Sequence, residues 1–229
     1  EGGRVQRLRE LLAAASLCND AQLQHDPAGR SPWRVVGDPT EGSLQVLAAK
    51  AGVDLAALVR DAPREAELPF DADAKLMATR HRLPGAPRRV FVKGAPEAVF
   101  ALCDSAAAAP AGMAAGREIA DAMAGQALRV LAFGVVEDDA LEAGSGFGAL
   151  AGRVRLLGLA GQIDPPREEV KAAVAACRAS GIRPVMVTGD HKLTGLAIAR
   201  TLGIAREGDG AMDGTELEGL DEGTLDEAL

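Results

Sequence analysis

Phe91-Val92-Lys93-Gly94-Ala95-Pro96-Glu97 is the stretch on which the fold turns. Arg88 to Lys93 has the β-branched and aromatic content of a strand. Gly94-Ala95 ends it, and Pro96 opens a short helix that fits residues to Leu102. Lys93 is therefore a cation at the end of a strand, beside a turn, where it can reach into a pocket. Just upstream, Lys75 to Leu83 reads as the partner strand, joined through the turn Pro84-Gly85-Ala86-Pro87. Before that comes Leu68-Pro69-Phe70-Asp71. In a chain with 3% aromatics and no tyrosine, an aromatic this close to a candidate pocket carries weight.

Farther out on the N-terminal side is Gly37-Asp38-Pro39-Thr40-Glu41-Gly42-Ser43-Leu44. Arg34 to Gly37 reads as a short strand. Asp38 as N-cap, Pro39 at the first helical position and Glu41 two residues later predict a helix start, with Glu41 available to close a capping box. Leu8, Leu11, Leu12 and Ala15 recur at helical spacing, and Asn19-Asp20 ends that helix. On the C-terminal side, Ala106 to Gly116 reads as a flexible insertion, Arg117 to Met123 as a helix and Ala127 to Val136 as a strand. Glu137 to Gly152, acidic and then glycine-rich, reads as a loop. From Val154 the rhythm changes. Val154 to Ile163 reads as a strand, Asp164-Pro165-Pro166-Arg167 as a stiff break, and Glu168 to Ser180 as a helix capped by Gly181. Ile182 to Thr188 reads as a strand despite Pro184, and Lys192 to Leu202 as a helix closed by Gly203. Alternating strands and helices predict a parallel sheet. The expected division falls near Asp164, with an α+β domain over residues 1–163 and a partial doubly wound α/β domain over 164–229.

Composition narrows the function. Hydrophobic residues make up 48% and charged residues 25%, the mixture of a folded globular chain. No run approaches the roughly 18 apolar residues that a membrane span needs, and no basic-then-apolar leader opens the chain. The net charge of −8 argues against a nucleic-acid partner and requires that any anionic ligand be held by a few local cations. Cys18, Cys103 and Cys177 have no metal-ligand spacing and read as free thiols of a reducing compartment. His25, His81 and His191 form no ligand pattern, and no metal site is expected. A P-loop is absent. Gly144, Gly146 and Gly148 do not lie between a strand and a helix as a dinucleotide fingerprint would.

Taken together and in order, six segments resemble the P-type (E1–E2) cation-transporting ATPases. They are Asp38-Pro39-Thr40-Glu41, Leu68-Pro69-Phe70-Asp71 with Lys75 and Met77, Lys93-Gly94-Ala95-Pro96-Glu97, Leu128-Arg129-Val130-Leu131-Ala132, Asp164-Pro165-Pro166-Arg167, and Met186-Val187-Thr188-Gly189-Asp190. The similarity runs from about Leu8 to Ile204. It implies an ATP-binding domain with an antiparallel sheet and flanking helices, followed by part of a haloacid-dehalogenase-like phosphorylation domain. It also implies roles. Phe70 stacks on adenine, a contact worth roughly 1–3 kcal/mol in base–aromatic pairs. Glu41 lies near the adenine amino group, and Lys75, Lys93 and Gly94 line the cleft. Arg129 contacts the phosphates, for which its fork is suited. Thr188 and Gly189 meet the transferred phosphoryl group, while Asp190 orders their loop. From the residues alone, Phe70 reads equally as a core side chain, Arg129 as one half of a surface ion pair and Glu41 as a capping residue.

Two motifs of that family are missing: the Asp-Lys-Thr-Gly-Thr of the phosphorylated aspartate and the later Gly-Asp-Gly-x-x-Asn-Asp that binds Mg2+. The chain is expected to be a segment of a larger cytoplasmic loop that binds ATP, as MgATP, without turnover. Its expected partners are the transmembrane and actuator domains of a membrane-embedded parent, with this segment on the cytoplasmic side. A dimer through the incomplete second domain is a further expectation. Gly195 stands where an alanine is usual. The Asp-Pro-Thr-Glu segment points to the calcium and sodium pump branch. A soluble haloacid-dehalogenase-type phosphatase with a large cap and a stand-alone nucleotide module are the alternatives.

Overall fold

The computed structural model describes residues 2–25, 33–85, 87–103, 110–137, 145–163, 167–189 and 192–218. In chain order the elements are α1 (Gly2–Leu17), β1 (Gln22–His25), β2 (Trp33–Val36), α2 (Pro39–Lys50), α3 (Leu55–Asp61) and β3 (Arg64–Asp71). Next come β4 (Leu76–His81), β5 (Arg89–Gly94), α4 (Pro96–Leu102), α5 (Pro110–Ala124), β6 (Arg129–Val136) and β7 (Arg155–Gln162). The last three are α6 (Glu168–Ala179), α7 (Lys192–Leu202) and α8 (Gly214–Glu218). The chain divides into two compact units, Glu1–Ala120 with Val130–Gln162, and Asp121–Arg129 with Ile163–Leu229.

The first unit is built on a five-stranded sheet in the order β3-β4-β5-β6-β7, with a separate β1-β2 hairpin. The pairs β3–β4, β4–β5 and β5–β6 are antiparallel. Because strand side chains alternate, the register assigns each residue a face. Leu76 opposite Gly94, and Ala78 opposite Val92, fall on one face. There Val99 and Leu102 of α4 complete a core. Met77 opposite Lys93, and Thr79 opposite Phe91, fall on the other. That face is covered by Ala14, Ala15, Leu17 and Cys18 from the end of α1 and by Leu44 of α2. Lys93 is buried in this layer with two other polar side chains of the same face, Thr79 and His81.

Several expectations need correction. Pro110 to Gly116, read as part of a flexible insertion, belongs to α5, since alanine-rich sequence favours the helix; residues 104–109 of that stretch lie outside the described residues. The Glu137 to Gly152 loop contains a 3-10 turn over Phe147–Leu150 that buries Leu150. The strand near Val154 forms as β7, but it extends the first unit's sheet beside β6 instead of starting a parallel one. Ile182 to Thr188 forms no strand. Pro184 removes a ladder donor, and Ile182, Val185 and Val187 stay exposed. Beyond residue 163 the described residues of the second unit hold only helices, so the parallel sheet is not seen.

Within that second unit, Gly181 and Gly203 both take the left-handed conformation that ends a helix, at φ +76 and +77. Arg178 donates to the Ile204 carbonyl, and the Thr194 hydroxyl donates to the Leu128 carbonyl. α8 is capped by Asp213, whose carboxylate accepts from the Glu216 amide while the Glu216 side chain accepts from the Asp213 amide. No single helix among the described residues is long and apolar enough to cross a membrane.

Candidate functional site

The first turn of α2 is fixed by Asp38, whose carboxylate accepts from the Thr40 and Glu41 amides at 2.8 and 3.1 Å. Glu41 does not complete a capping box. Its carboxylate turns instead to the end of α1 and to β5. One oxygen accepts from the Lys93 ammonium at 2.5 Å and the other from the Asp20 amide at 3.0 Å. Lys93 is 4% exposed. The pair's side chains retain 6% (Lys93) and 16% (Glu41) of their accessibility, so solvent still reaches the carboxylate. A buried ammonium without a counter-ion would be costly, and Glu41 removes that cost.

The same end of the sheet carries the other cleft residues. Asp71 pairs with Leu76 and Leu76 with Gly94, which brings the ends of β3 and β5 to either side of the start of β4. Phe70, one residue before Asp71, lies within the register shift between Leu68 and Asp71, at the same end of the sheet. It is 61% exposed, so the core alternative for this aromatic falls away. The Asp71 carboxylate accepts from the Asp73 and Ala74 amides at 2.9 and 2.8 Å and closes a tight turn. That turn places Lys75 in the left-handed region at φ 55. Lys75 then does two things. Its carbonyl accepts from the Ala95 amide at 3.1 Å, and its ammonium meets Glu97 at 3.1 Å, both side chains well exposed. Such a surface pair is worth about 0–1 kcal/mol. Gly94 is required here, since a Cβ would overlap the Lys75 carbonyl oxygen and the Leu76 side chain.

Thus Glu41 and Lys93 are in direct contact, Lys75 and Gly94 adjoin each other across the β4–β5 end, and Phe70 stands on the neighbouring strand. Arg129 opens β6, exposed, and falls with Thr188 and Gly189 in the second unit. Thr188 and Gly189 are exposed in the segment before α7. A Cβ on Gly195 would approach the Thr188 methyl to 3.0 Å, so the glycine lets that segment lie close to the helix start. Asp190 and the stiff break Asp164-Pro165-Pro166 lie outside the described residues. Asn19 and Asp20, read from the sequence only as the end of a helix, are direct partners of Glu41. An Asn-Asp pair after an apolar helix signals a helix end and nothing more, so no sequence signal marked them.

Burial accounts for the shifted titrations of two thiols, Cys18 beneath the site and Cys103 in the core on the other face of the sheet. Cys18 is fully buried under the site, and desolvation pushes its thiol up, opposed by the Lys93 charge. Burial likewise pushes the Cys103 thiol up to about 11. Among the described residues no group of three or more His, Cys, Asp or Glu converges on a metal position.

A family model for the P-type ATPase, cytoplasmic domain N, matches residues 7–169. The chain belongs to the P-type cation-transporting ATPases. A cation-transporting ATPase, pma1, from Synechocystis is 43% identical over 216 residues, covering 92% of this chain and 23% of the relative. Calcium-transporting ATPase 1 of Lactococcus lactis is 36% identical over 96% of the chain and 25% of its own length. The endoplasmic reticulum calcium ATPase srcA of Aspergillus fumigatus is 32% identical over 97% of the chain and 27% of its own length. The chain spans about a quarter of the length of these curated relatives. The antiparallel sheet with flanking helices is the architecture expected of the family's nucleotide-binding domain.

Proposed function

We propose that this chain is the ATP-recognition segment of a P-type cation pump, with residues 1–163 forming the nucleotide-binding domain and 164–229 part of a haloacid-dehalogenase-like phosphorylation domain. The observation that carries the reading is the Glu41 carboxylate held between the Lys93 ammonium and the Asp20 amide, at the sheet end that also presents an exposed Phe70. A purine needs a flat apolar face and edge-on polar partners. Phe70 supplies the face. Glu41, with two of its roughly four acceptor positions occupied, has capacity left for the adenine amino group. Lys93 and Gly94 form the floor beside it, and Lys75, released from Glu97, faces the phosphates; Arg129 is a phosphate contact only as the family resemblance implies.

Thr188 and Gly189 are the proposed contacts of the phosphoryl group in the parent, with Asp190 ordering their loop, and an aspartyl nucleophile and Mg2+ would come from elsewhere in that parent. The parent would couple ATP hydrolysis through an aspartyl-phosphate to cation transport. It would belong to the calcium and sodium pump branch, lie in the cell membrane with this segment on the cytoplasmic side, and work with its transmembrane and actuator domains. In isolation, the exposed apolar positions Ile182, Val185 and Val187 are the place where two copies would meet.

Titration calorimetry tests the reading. ATP, ADP and AMP should all bind, without hydrolysis of ATP or of a generic phosphomonoester. Phe70→Ala should weaken ATP by about 1–3 kcal/mol with no change in the unfolding midpoint, because the ring is largely exposed. Unaltered affinity in Phe70→Ala, or turnover of the phosphomonoester, would overturn it.

A further inference from the structure

We infer that Asn19 is a positioning residue for base recognition, which it serves by fixing the Asp20 amide and the Glu41 backbone against each other. This rests on the adenine reading of Glu41 above. Asn19 is 6% exposed, and each of its polar side-chain atoms is engaged. Its amide nitrogen donates to the Ala15 carbonyl at 3.0 Å, within α1, and to the Glu41 carbonyl at 2.9 Å, in the first turn of α2. Its oxygen accepts from the Ala21 amide at 2.9 Å, just past the corner. The two donors face carbonyls and the acceptor faces an N–H, so the amide can serve in one orientation only. One side chain thereby ties the end of one helix, the corner after it and the start of another.

The corner is held from two more directions. Gln45 of α2 donates to the Ser16 and Ala21 carbonyls at 3.1 and 3.2 Å. Arg64 of β3 donates to the Leu17 and Asn19 carbonyls at 3.2 and 2.8 Å and meets the Asp20 carboxylate at 2.7 Å. The product of this bracing is an Asp20 amide that points at one oxygen of Glu41 while Lys93 holds the other. A carboxylate pinned at both oxygens presents its remaining lone pairs in a fixed direction. A ligand amino group in that direction is accepted, and a carbonyl oxygen in its place is repelled. Without Asn19 the first turn of α2 loses its own tether to α1 and keeps only the Gln45 bonds one turn on, so the Asp20 amide and the Glu41 carboxylate are no longer held in one fixed geometry.

The test compares ATP with ITP, in which the exocyclic amino group becomes a carbonyl oxygen, by calorimetry on the 229-residue chain. The wild type should prefer ATP at least tenfold. Asn19→Ala should cut that preference at least fivefold, by weakening ATP while ITP changes less than twofold. Loss of fold stability alone does not move this ratio. Arg64→Met, which loosens the corner from outside the cleft, should move the ratio in the same direction, and it decides the matter if Asn19→Ala fails to fold. A discriminating wild type with folded variants that keep the full ratio overturns the role of Asn19 and leaves Glu41 standing. A wild type that binds ATP and ITP alike overturns the Glu41 reading and this inference with it.

Discussion

Replacing Lys93 by Met and Glu41 by Leu, singly and together, separates what the pair does for folding from what it does for the nucleotide. The two side chains retain 6% and 16% of their accessibility at 2.5 Å separation, between a surface pair and a fully enclosed one. Surface pairs are worth about 0–1 kcal/mol, whereas stranding one member of a buried pair costs about 3–5 kcal/mol. The structure says which single change is worse. Lys93→Met leaves a carboxylate that keeps the Asp20 amide and some water, for a cost of about 1–2 kcal/mol. Glu41→Leu leaves an ammonium inside the layer formed by Met77, Phe91, Phe133 and Cys18, for about 3–4 kcal/mol. The double variant strands no charge and should lose about 2 kcal/mol, giving a coupling of about 2–4 kcal/mol. Urea unfolding followed by far-ultraviolet circular dichroism measures all four corners, and calorimetry with ATP follows on each folded variant. The double variant should recover stability without recovering ATP affinity. Equal costs for the two single changes, or a coupling below about 0.5 kcal/mol, would refute the argument, since that is the range within which independent sites add.

Two further outcomes follow from the geometry. Gly94→Ala should destabilise the first unit by about 1–3 kcal/mol through overpacking against the Lys75 carbonyl and Leu76, and should weaken ATP binding. Gly148→Ala, which meets nothing within 4 Å, serves as the neutral control in thermal melts. His81 is buried between the Ala62 carbonyl at 2.9 Å and the Thr79 hydroxyl at 3.0 Å. Burial holds its imidazole below the ordinary 6.5, opposed by the Ala62 bond and reinforced by the Arg64 charge. The folded state therefore resists a proton that the unfolded chain accepts. Its contribution is full above pH 6.5 and is lost as the pH falls through the folded value. His81→Gln should flatten the decline of the urea midpoint between pH 7 and pH 5, and an unchanged slope would remove His81 as its source.

The local elements of this fold were legible where chemistry is local. The Asp38-Pro39 helix start, the β4–β5 hairpin and the Pro96 helix each announce themselves through caps, turns and φ restriction. β1, α3 and β3 were not read from the sequence. β1 and α3 are short, and β3 carries Pro69 and a register shift between Leu68 and Asp71, which blur the strand pattern. The reading of Ile182 to Thr188 failed for a different cause. Its apolar residues state a preference to be covered, but pairing requires a neighbour, and none forms among the described residues. At the site, residue types pointed to Phe70, Lys75 and Lys93 through the resemblance. The burial of Lys93, the turn of Glu41 away from a capping box and the part played by Asn19 depend on contacts between distant segments. Composition cannot encode those contacts.

Residues 20, 41 and 93 meet at one carboxylate, and that has a kinetic consequence. Closing loops of this length costs entropy before any contact rewards it, so non-local pairings form late as a chain folds. The cleft cannot exist on a half-folded intermediate or on a fragment that stops short of β5. On the proposed reading, nucleotide affinity would then report on completed folding of the first unit.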